Sequence, residues 1–188
     1  MATKKSQRIG ILIIAVVMLV GTLGSFAVMM LSTNNAAIDQ AAQEQEMADY
    51  QAHIEEQAKA RLESSKPLKG YEADEFDKSE VTELKVKTLK EGDGDELTAD
   101  STIEANYFGW TSDGQIFDSS NQNGKTEPIE FPLSGVIAGW TEGLDGVRVG
   151  SVVELTIPAE QAYGSAGSPP NIGPDEPLKF IVEVVSKK

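Results

Sequence analysis

The distribution of apolar positions divides the chain into three kinds of segment. Residues 9–31 form an uncharged, apolar run of 23 residues, which as a helix would be about 35 Å long and would cross a bilayer core of about 30 Å. Residues 33–65 contain no glycine or proline and are rich in Ala, Gln and Glu, a composition that favours helix. From residue 81 onward apolar residues alternate with polar ones, which is the period of half-buried β-strands.

In this last region the alternation predicts several strands, a hairpin and one short helix. The strand runs lie at 84–88, 103–108, 128–133, 152–157 and 178–185, and Ser112-Asp113-Gly114 provides a hairpin turn. The spacing of Trp140, Leu144 and Val147 predicts one short helix within 137–147. Several strands with a single helix indicate an α+β fold, in which an antiparallel sheet curls around the helix.

The charges on either side of the apolar run predict how the chain is oriented across the membrane. Three basic residues precede it, and the positive-inside rule therefore predicts a cytoplasmic N-terminus and an extracytoplasmic remainder. A cleaved signal peptide is the alternative, with Asn35-Ala36-Ala37 as a weak cleavage site. Because the apolar region of a signal peptide has about 7–15 residues, we expect residues 9–31 to be an uncleaved anchor in the plasma membrane.

The charge beyond the anchor restricts the possible partners. All 30 acidic residues but only 13 of the 16 basic ones follow residue 31, which leaves this part with a net charge of −17. Such a surface repels nucleic acid, and we expect no nucleic-acid partner. The sequence contains no cysteine and therefore no disulfide.

These patterns predict five consecutive segments. They are a cytoplasmic basic tail (1–8), a transmembrane anchor (9–31), a helical stalk (32–65), an acidic linker (66–80) and a folded domain (81–188). The apolar stripe of the stalk is too thin for a coiled-coil seam, so we expect a monomer, with self-association as the alternative. His53, the single histidine, lies among Gln and Glu without a second ligand, and we expect no metal site.

Three local motifs in the folded domain carry the candidate chemistry. Tyr107 precedes the hairpin and Phe117-Asp118 follows it; Val136-Ile137 stands just before Gly139-Trp140; and Ala162-Tyr163-Gly164 follows a strand. Together these motifs resemble the FKBP-type peptidyl-prolyl cis–trans isomerases, in a membrane-anchored bacterial form. The resemblance covers most of the last hundred residues. It implies the FKBP-like fold, with Ile172 at the rim of a pocket and Phe180 facing it from the last strand.

The resemblance also implies a catalytic pocket that works without metal or cofactor. Trp140 would be its floor, apolar side chains its walls, and Tyr163, Asp118 and the Ile137 N–H its polar groups. The predicted site comprises Tyr107, Phe117, Asp118, Val136, Ile137, Trp140, Tyr163, Ile172 and Phe180. Phe131 is read mainly as an inward core residue. Phe108 and Trp110 alternate to the other strand face, where packing or exposed surface is expected.

The sequence thus predicts an isomerase that rotates X-Pro bonds in exported proteins. Its partners would be proline-containing polypeptides, the membrane through residues 9–31, and macrolide inhibitors. The alternative is a catalytically weak chaperone or proline-binding module of the same fold, displayed on a stalk. A purely structural stalked protein would leave the aromatic constellation unexplained. The domain contains no histidine to activate Ser119 or Ser120, which excludes Ser-His-Asp hydrolysis.

Overall fold

The computed structural model describes residues 38–188, and the helix side chains from residue 43 onward. The predicted cytoplasmic tail 1–8 and transmembrane anchor 9–31 lie outside the described residues. None of the helices within residues 38–188 combines the length and the apolar character needed to cross a bilayer.

Helix α1 is the first described element and spans Ile38–Ser64, within the predicted stalk. The chain divides into two compact units after Lys59, so the last five residues of α1 belong to the second unit. In the first unit the side chains of Met47 and Tyr50 are exposed by 50% and 48%. These two apolar side chains of the predicted stalk therefore face water in the single chain.

Eight strands follow in the second unit. They are β1 Lys85–Lys90, β2 Thr102–Trp110, β3 Ile116–Ser119, β4 Asn121–Gln122, β5 Lys125–Thr126, β6 Ile129–Pro132, β7 Val152–Ile157 and β8 Leu178–Lys187. Six strands form one antiparallel sheet in the order β1-β7-β8-β2-β3, with β6 pairing the first half of β2, and β4 and β5 form a separate short hairpin. The predicted antiparallel sheet with a short helix is confirmed.

Strand β2 contacts three other strands and places its side chains alternately on two faces. Its whole length pairs with β8, and on its other edge β6 pairs with Ile103 and Ala105 while β3 pairs with Phe108 and Trp110. Successive side chains of a strand point to opposite faces. Tyr107 and Gly109 therefore belong to one face, and Phe108 and Trp110 to the other.

Helix α2, Ala138–Leu144, packs against strand β7 through two glycines. A Cβ atom added to Gly139 would lie 2.3 Å from Ile157 Cγ2, and one added to Gly143 would lie 2.9 Å from Leu155 Cδ2. Only glycine permits this close approach, which brings Trp140 onto the inner face of the sheet. The helix is shorter than predicted because Asp145 takes an extended conformation and Gly146 has a φ of 80°.

The other face of the sheet is covered by residues 65–80, here called the arm. This stretch corresponds almost entirely to the predicted acidic linker, yet its apolar side chains pack against the sheet. Leu68 is buried beside Phe108, Trp110, Val152 and Ile181, and the partly buried Tyr71, Ala73 and Phe76 pack against the same cluster. The arm is fixed at both ends, since Lys66 N donates to Asn121 O at 3.0 Å and Phe76 N donates to Ser112 O at 2.9 Å.

Candidate active site

Five aromatic rings meet on the inner face of the sheet. They come from four different strands and from helix α2: Tyr107 on β2, Phe117 on β3, Phe131 on β6, Phe180 on β8 and Trp140 on α2. No two of these residues are closer than nine positions in the sequence, so the fold alone brings them together. All five rings lie on the same side of the sheet as helix α2.

Trp140 is the centre of this ring cluster. Its ring centroid lies 5.4 Å from Tyr107, 5.5 Å from Phe131 and 5.4 Å from Phe180, with interplanar angles of 87°, 66° and 88°. Phe117 extends the cluster through Phe180, at 5.6 Å and 87°. These are edge-to-face pairs, the arrangement that aromatic quadrupoles favour. The indole is therefore fixed by three neighbouring rings.

A glycine on β2 makes room for two of the rings. A Cβ atom at Gly109 would lie 2.4 Å from Phe180 Cε1 and 2.7 Å from Phe117 Cζ, distances that real Cβ atoms do not adopt. Gly109 pairs with Asp118 on β3 and with Phe180 on β8. The sequence prediction did not include Gly109, although its position two residues after Tyr107 puts it on the same strand face.

A polar group lies beside the rings and is built around the Asp118 carboxylate. Tyr107 donates its hydroxyl to Asp118 Oδ2 at 2.5 Å. Arg61, from the last turn of α1, donates Nε to Asp118 Oδ1 at 2.6 Å, and its Nη2 lies 2.5 Å from the same oxygen. Ser119 N also donates to Asp118 Oδ1, at 2.8 Å. The carboxylate is thus held on both oxygens.

The two tyrosines at this carboxylate remain protonated in the physiological range. Burial raises the pKa of Tyr107 well above its ordinary value and the Asp118 charge raises it further, while Arg61 acts in the opposite direction. Burial, followed by the Asp118 charge, raises the pKa of Tyr163 to about 12. Both hydroxyls therefore stay neutral at physiological pH, and that of Tyr107 donates to Asp118.

Two N–H groups at helix α2 lack a hydrogen-bond partner within residues 38–188. The indole Nε1 of Trp140 is buried and has no hydrogen-bond partner among the described residues. The backbone N–H of Ile137, at the N-terminal cap of α2, likewise donates to no group of residues 38–188. Because buried polar atoms are satisfied in almost all proteins, the unpaired indole N–H of Trp140 is unusual, as are the unpaired side-chain oxygens of Asn106, Asn121 and Gln161.

The structure brings together most of the predicted site residues. Ring contacts and hydrogen bonds connect Tyr107, Phe117, Asp118, Trp140 and Phe180. The half-buried Val136 and Ile137 directly precede the helix that carries Trp140. Ile172 is buried and is paired by two backbone hydrogen bonds with Ser168.

Two further residues belong to the site and were not in the prediction. Phe131, read mainly as core, contacts both Tyr107 and Trp140; its inward position on an alternating strand was the available signal. Arg61 lies 57 residues before Asp118, and no local pattern links the two. No group of His, Cys, Asp and Glu side chains suited to a metal ion is found in residues 38–188.

Comparisons with known proteins identify related chains. A family model described as FKBP-type peptidyl-prolyl cis-trans isomerase matches residues 94–185. The chain is 35% identical over 154 residues to the FKBP-type peptidyl-prolyl cis-trans isomerase FkpA of Escherichia coli, covering 77% of this chain and 56% of that protein. It is 40% identical over 105 residues to the peptidyl-prolyl cis-trans isomerase Mip of Coxiella burnetii, covering 56% of this chain and 45% of the relative.

A solved structure shows the same relationship. The crystal structure of a peptidyl-prolyl cis-trans isomerase from Pseudomonas syringae is 35% identical to this chain, with a TM-score of 0.51, and the match covers 56% of this chain and 75% of that one. The chain spans about half the length of the FkpA and Mip relatives. On the identity and coverage of these matches, the chain belongs to the FKBP-type peptidyl-prolyl cis-trans isomerase family.

Proposed function

We propose that this protein catalyses the cis–trans rotation of X-Pro peptide bonds. The observation that carries the proposal is the ring cluster centred on Trp140, with hydrogen-bonding groups at Asp118 and Ile137 beside it. This arrangement lies within the residues that match the family. It offers an apolar surface for a proline ring and polar groups for the peptide bonds on either side.

The chemistry needs a suitable environment and no reactive group. Rotation about the X-Pro bond has a barrier of about 18–20 kcal/mol, because resonance favours the planar amide. In the transition state the C–N bond has single-bond character and the carbonyl is less polar than in the planar amide. A cavity that replaces water with aromatic rings favours this less polar state over the hydrated planar one.

The chain's polar groups would orient the substrate in this cavity. The proline ring would lie over the indole of Trp140, and the free N–H of Ile137 would donate to a carbonyl of the bound peptide. The Tyr163 hydroxyl, protonated below about pH 12, would donate to a second carbonyl. Asp118, fixed by Tyr107 and Arg61, would stay in place while the peptide rotates. Each hydrogen bond in a desolvated site would contribute about 1–3 kcal/mol.

The substrates that fit this site are proline-containing polypeptide segments. We further propose that residues 9–31 anchor the chain in the plasma membrane, with the isomerase domain outside the cytoplasm and exported proteins as its substrates. The support is the uncharged run preceded by basic residues. One relative carries the name outer membrane protein MIP, from Legionella longbeachae. Macrolide inhibitors would compete for the same apolar surface.

A protease-coupled isomerisation assay tests the activity. The full chain, solubilised in detergent, should accelerate the cis-to-trans conversion of Leu-Pro and Phe-Pro peptides, and an excess of a macrolide should suppress the effect. Binding of the peptides without acceleration would favour the alternative of a proline-binding chaperone module. The absence of both binding and acceleration would contradict the proposal.

Accessibility to protease in cells tests the location. Protease added to spheroplasts should remove the isomerase domain and leave a short membrane fragment, because the anchor would be protected by the bilayer. A domain that resists external protease until the membrane is dissolved would contradict the proposed orientation.

A further inference from the structure

The site carboxylate has a cationic partner that precedes the segment matched by the family model. Arg61 belongs to the last turn of α1, whereas the family match begins at residue 94. The guanidinium contacts Asp118 Oδ1 through Nε at 2.6 Å and Nη2 at 2.5 Å. Arginine has a rigid fork of donors, and such charge-assisted contacts are stronger and more directional than those between neutral groups.

The nearest basic residue in the loop after Asp118 has another partner. Lys125 pairs with Glu127 at 2.6 Å, and the two side chains are exposed by 79% and 60%. Arg61 and Asp118 are more sheltered, with side-chain exposures of 23% and 26%. Because ion pairs are screened less when water is partly excluded, Arg61 is the cation that acts on Asp118.

The end of α1 is fixed against the loop that follows Asp118, and this holds Arg61 in place. Asn123 N donates to Ser64 O at 2.8 Å, and Lys66 N donates to Asn121 O at 3.0 Å. Ser119 Oγ adds a hydrogen bond to Lys66 O at 2.7 Å. The position of the guanidinium is therefore determined by several hydrogen bonds besides its own.

Asp118 connects Arg61 to the ring cluster through hydrogen bonds to both of its carboxylate oxygens. Asp118 Oδ1 accepts from Arg61 while Oδ2 accepts from the Tyr107 hydroxyl at 2.5 Å. The ring of Tyr107 lies 5.4 Å from both Phe131 and Trp140. The orientation of the carboxylate thus fixes one of the three rings that surround the indole. Without Arg61, Asp118 Oδ1 would keep only the Ser119 N–H of these donors.

We propose that Arg61 is a positioning residue of the isomerase site, which acts on catalysis by orienting Asp118 and, through it, Tyr107. This inference rests on the proposed isomerase function. It makes the end of α1 a part of the site, although that helix precedes the whole sheet in the sequence. The carboxylate geometry, and hence the pocket, would then depend on a residue that precedes the segment matched by the family model.

Substitutions in the full chain test the inference, with a matched arginine as control. Arg148 also pairs with a carboxylate, that of Glu96, but both are about half exposed and lie away from the rings. Arg61→Gln keeps most of the side-chain stem and removes the charge, and Arg61→Lys keeps the charge but loses the fork. We expect kcat/KM to fall about 5- to 10-fold in R61Q and about 2-fold in R61K, and to stay within about 1.5-fold in R148Q.

A double-mutant cycle separates positioning from a general loss of stability. In the background of Asp118→Asn, which still offers an acceptor to Tyr107, R61Q should change kcat/KM by less than about twofold, because its effect passes through the carboxylate. Thermal unfolding recorded on each variant identifies any loss of folded protein. If R61Q does not fold, R61K in both backgrounds takes its place in the cycle.

The outcomes are distinct. If the unsubstituted chain is active and R61Q has the same kcat/KM as R148Q, the inference is overturned and the proposed function stays intact. An equal loss from R61Q in the wild-type and D118N backgrounds would also overturn it, since Arg61 would then act by another route. A wild-type chain without isomerase activity would overturn the proposed function and the inference with it.

Discussion

The two faces of strand β2 carry aromatic residues of similar burial, but one face belongs to the candidate site and the other to the hydrophobic core. On the inner face Tyr107 packs against Trp140, and on the outer face Phe108 stacks on Trp110 at 5.1 Å with an interplanar angle of 20°. Trp140 and Trp110 are 4% and 3% exposed. Burial alone therefore does not distinguish a residue of the candidate site from a residue of the core.

The hydrogen bonding of the two indoles does distinguish them. Trp110 Nε1 donates to the carbonyl of Asp74 in the arm at 3.0 Å, whereas Trp140 Nε1 has no partner in the described part of the chain. An unsatisfied buried donor costs about 1–3 kcal/mol. The outer-face indole is therefore paired within the protein, whereas the inner-face indole has no partner among residues 38–188.

Replacing each tryptophan in turn gives the largest expected contrast. Trp140→Ala should lower kcat/KM for X-Pro isomerisation at least about 100-fold, because it removes the floor and frees three neighbouring rings. Trp110→Ala should cost about 3–5 kcal/mol of unfolding free energy and leave the kcat/KM of the folded fraction within about twofold. Kinetics below the unfolding temperature and denaturant unfolding measure the two effects. Equal losses of activity would abolish the distinction between the faces.

Filling the space at Gly109 should disturb the inner face without removing a ring. In Gly109→Ala the new methyl group would force Phe180 and Phe117 apart. We expect kcat/KM to fall about tenfold and the unfolding free energy to fall by about 1–3 kcal/mol. Isomerisation kinetics and urea unfolding of the same preparation measure both quantities. Unchanged activity would mean that the two phenylalanines do not shape the pocket.

Removing an apolar side chain of the arm tests the outer face by itself. Leu68 is buried among Phe108, Trp110 and Ile181, so Leu68→Ala should lower the unfolding free energy by about 2–4 kcal/mol. The activity per folded molecule should stay within about twofold, since the inner face is untouched. Urea unfolding measures the change in unfolding free energy, and isomerisation kinetics on the same preparation measure the activity. A variant as stable as wild type would show that residues 65–80 are a loose linker, as the sequence first suggested.

The smallest expected effect concerns the Tyr163 hydroxyl. Its pKa is raised from 10.0 to about 12 in the folded protein, so the unfolded chain releases this proton first as the pH increases. The resulting stabilisation is complete below about pH 10 and is lost between about pH 10 and pH 12. Tyr163→Phe should therefore flatten the alkaline decline of stability and lower kcat/KM about two- to fivefold at neutral pH.

Unfolding followed at several pH values, with neutral-pH kinetics beside it, measures both effects. Burial also raises the pKa of Tyr107, so part of the alkaline decline should remain in the Tyr163→Phe variant. A decline of stability identical to that of wild type would contradict the assignment to Tyr163.

The sequence predicted the sheet, the short helix and most of the candidate site because these depend on local patterns. Strand alternation located β2, β7 and β8, and the motifs around Tyr107, Phe117 and Trp140 lie within short stretches of chain. The fold adds only the distances between them.

The arm and Arg61 could not be predicted in the same way, because both depend on contacts between distant residues. The apolar residues of the arm are separated by acids and glycine, without the strict period of a strand or helix. Leu68 and Phe76 in an acidic segment were nevertheless a signal that this stretch buries something. The partner of Arg61 follows 57 residues later, and only the folded chain shows that the two charges meet.

The position of β8 determines when this domain can form during synthesis. Strand β8 follows the other seven strands in the chain, yet in the sheet it lies between β7 and β2 and pairs with both. Until residues 178–187 are available, the two halves of the sheet have no common partner, and the Phe180 ring is missing from the cluster around Trp140. A nascent chain that lacks this last strand can complete neither the sheet nor the ring cluster.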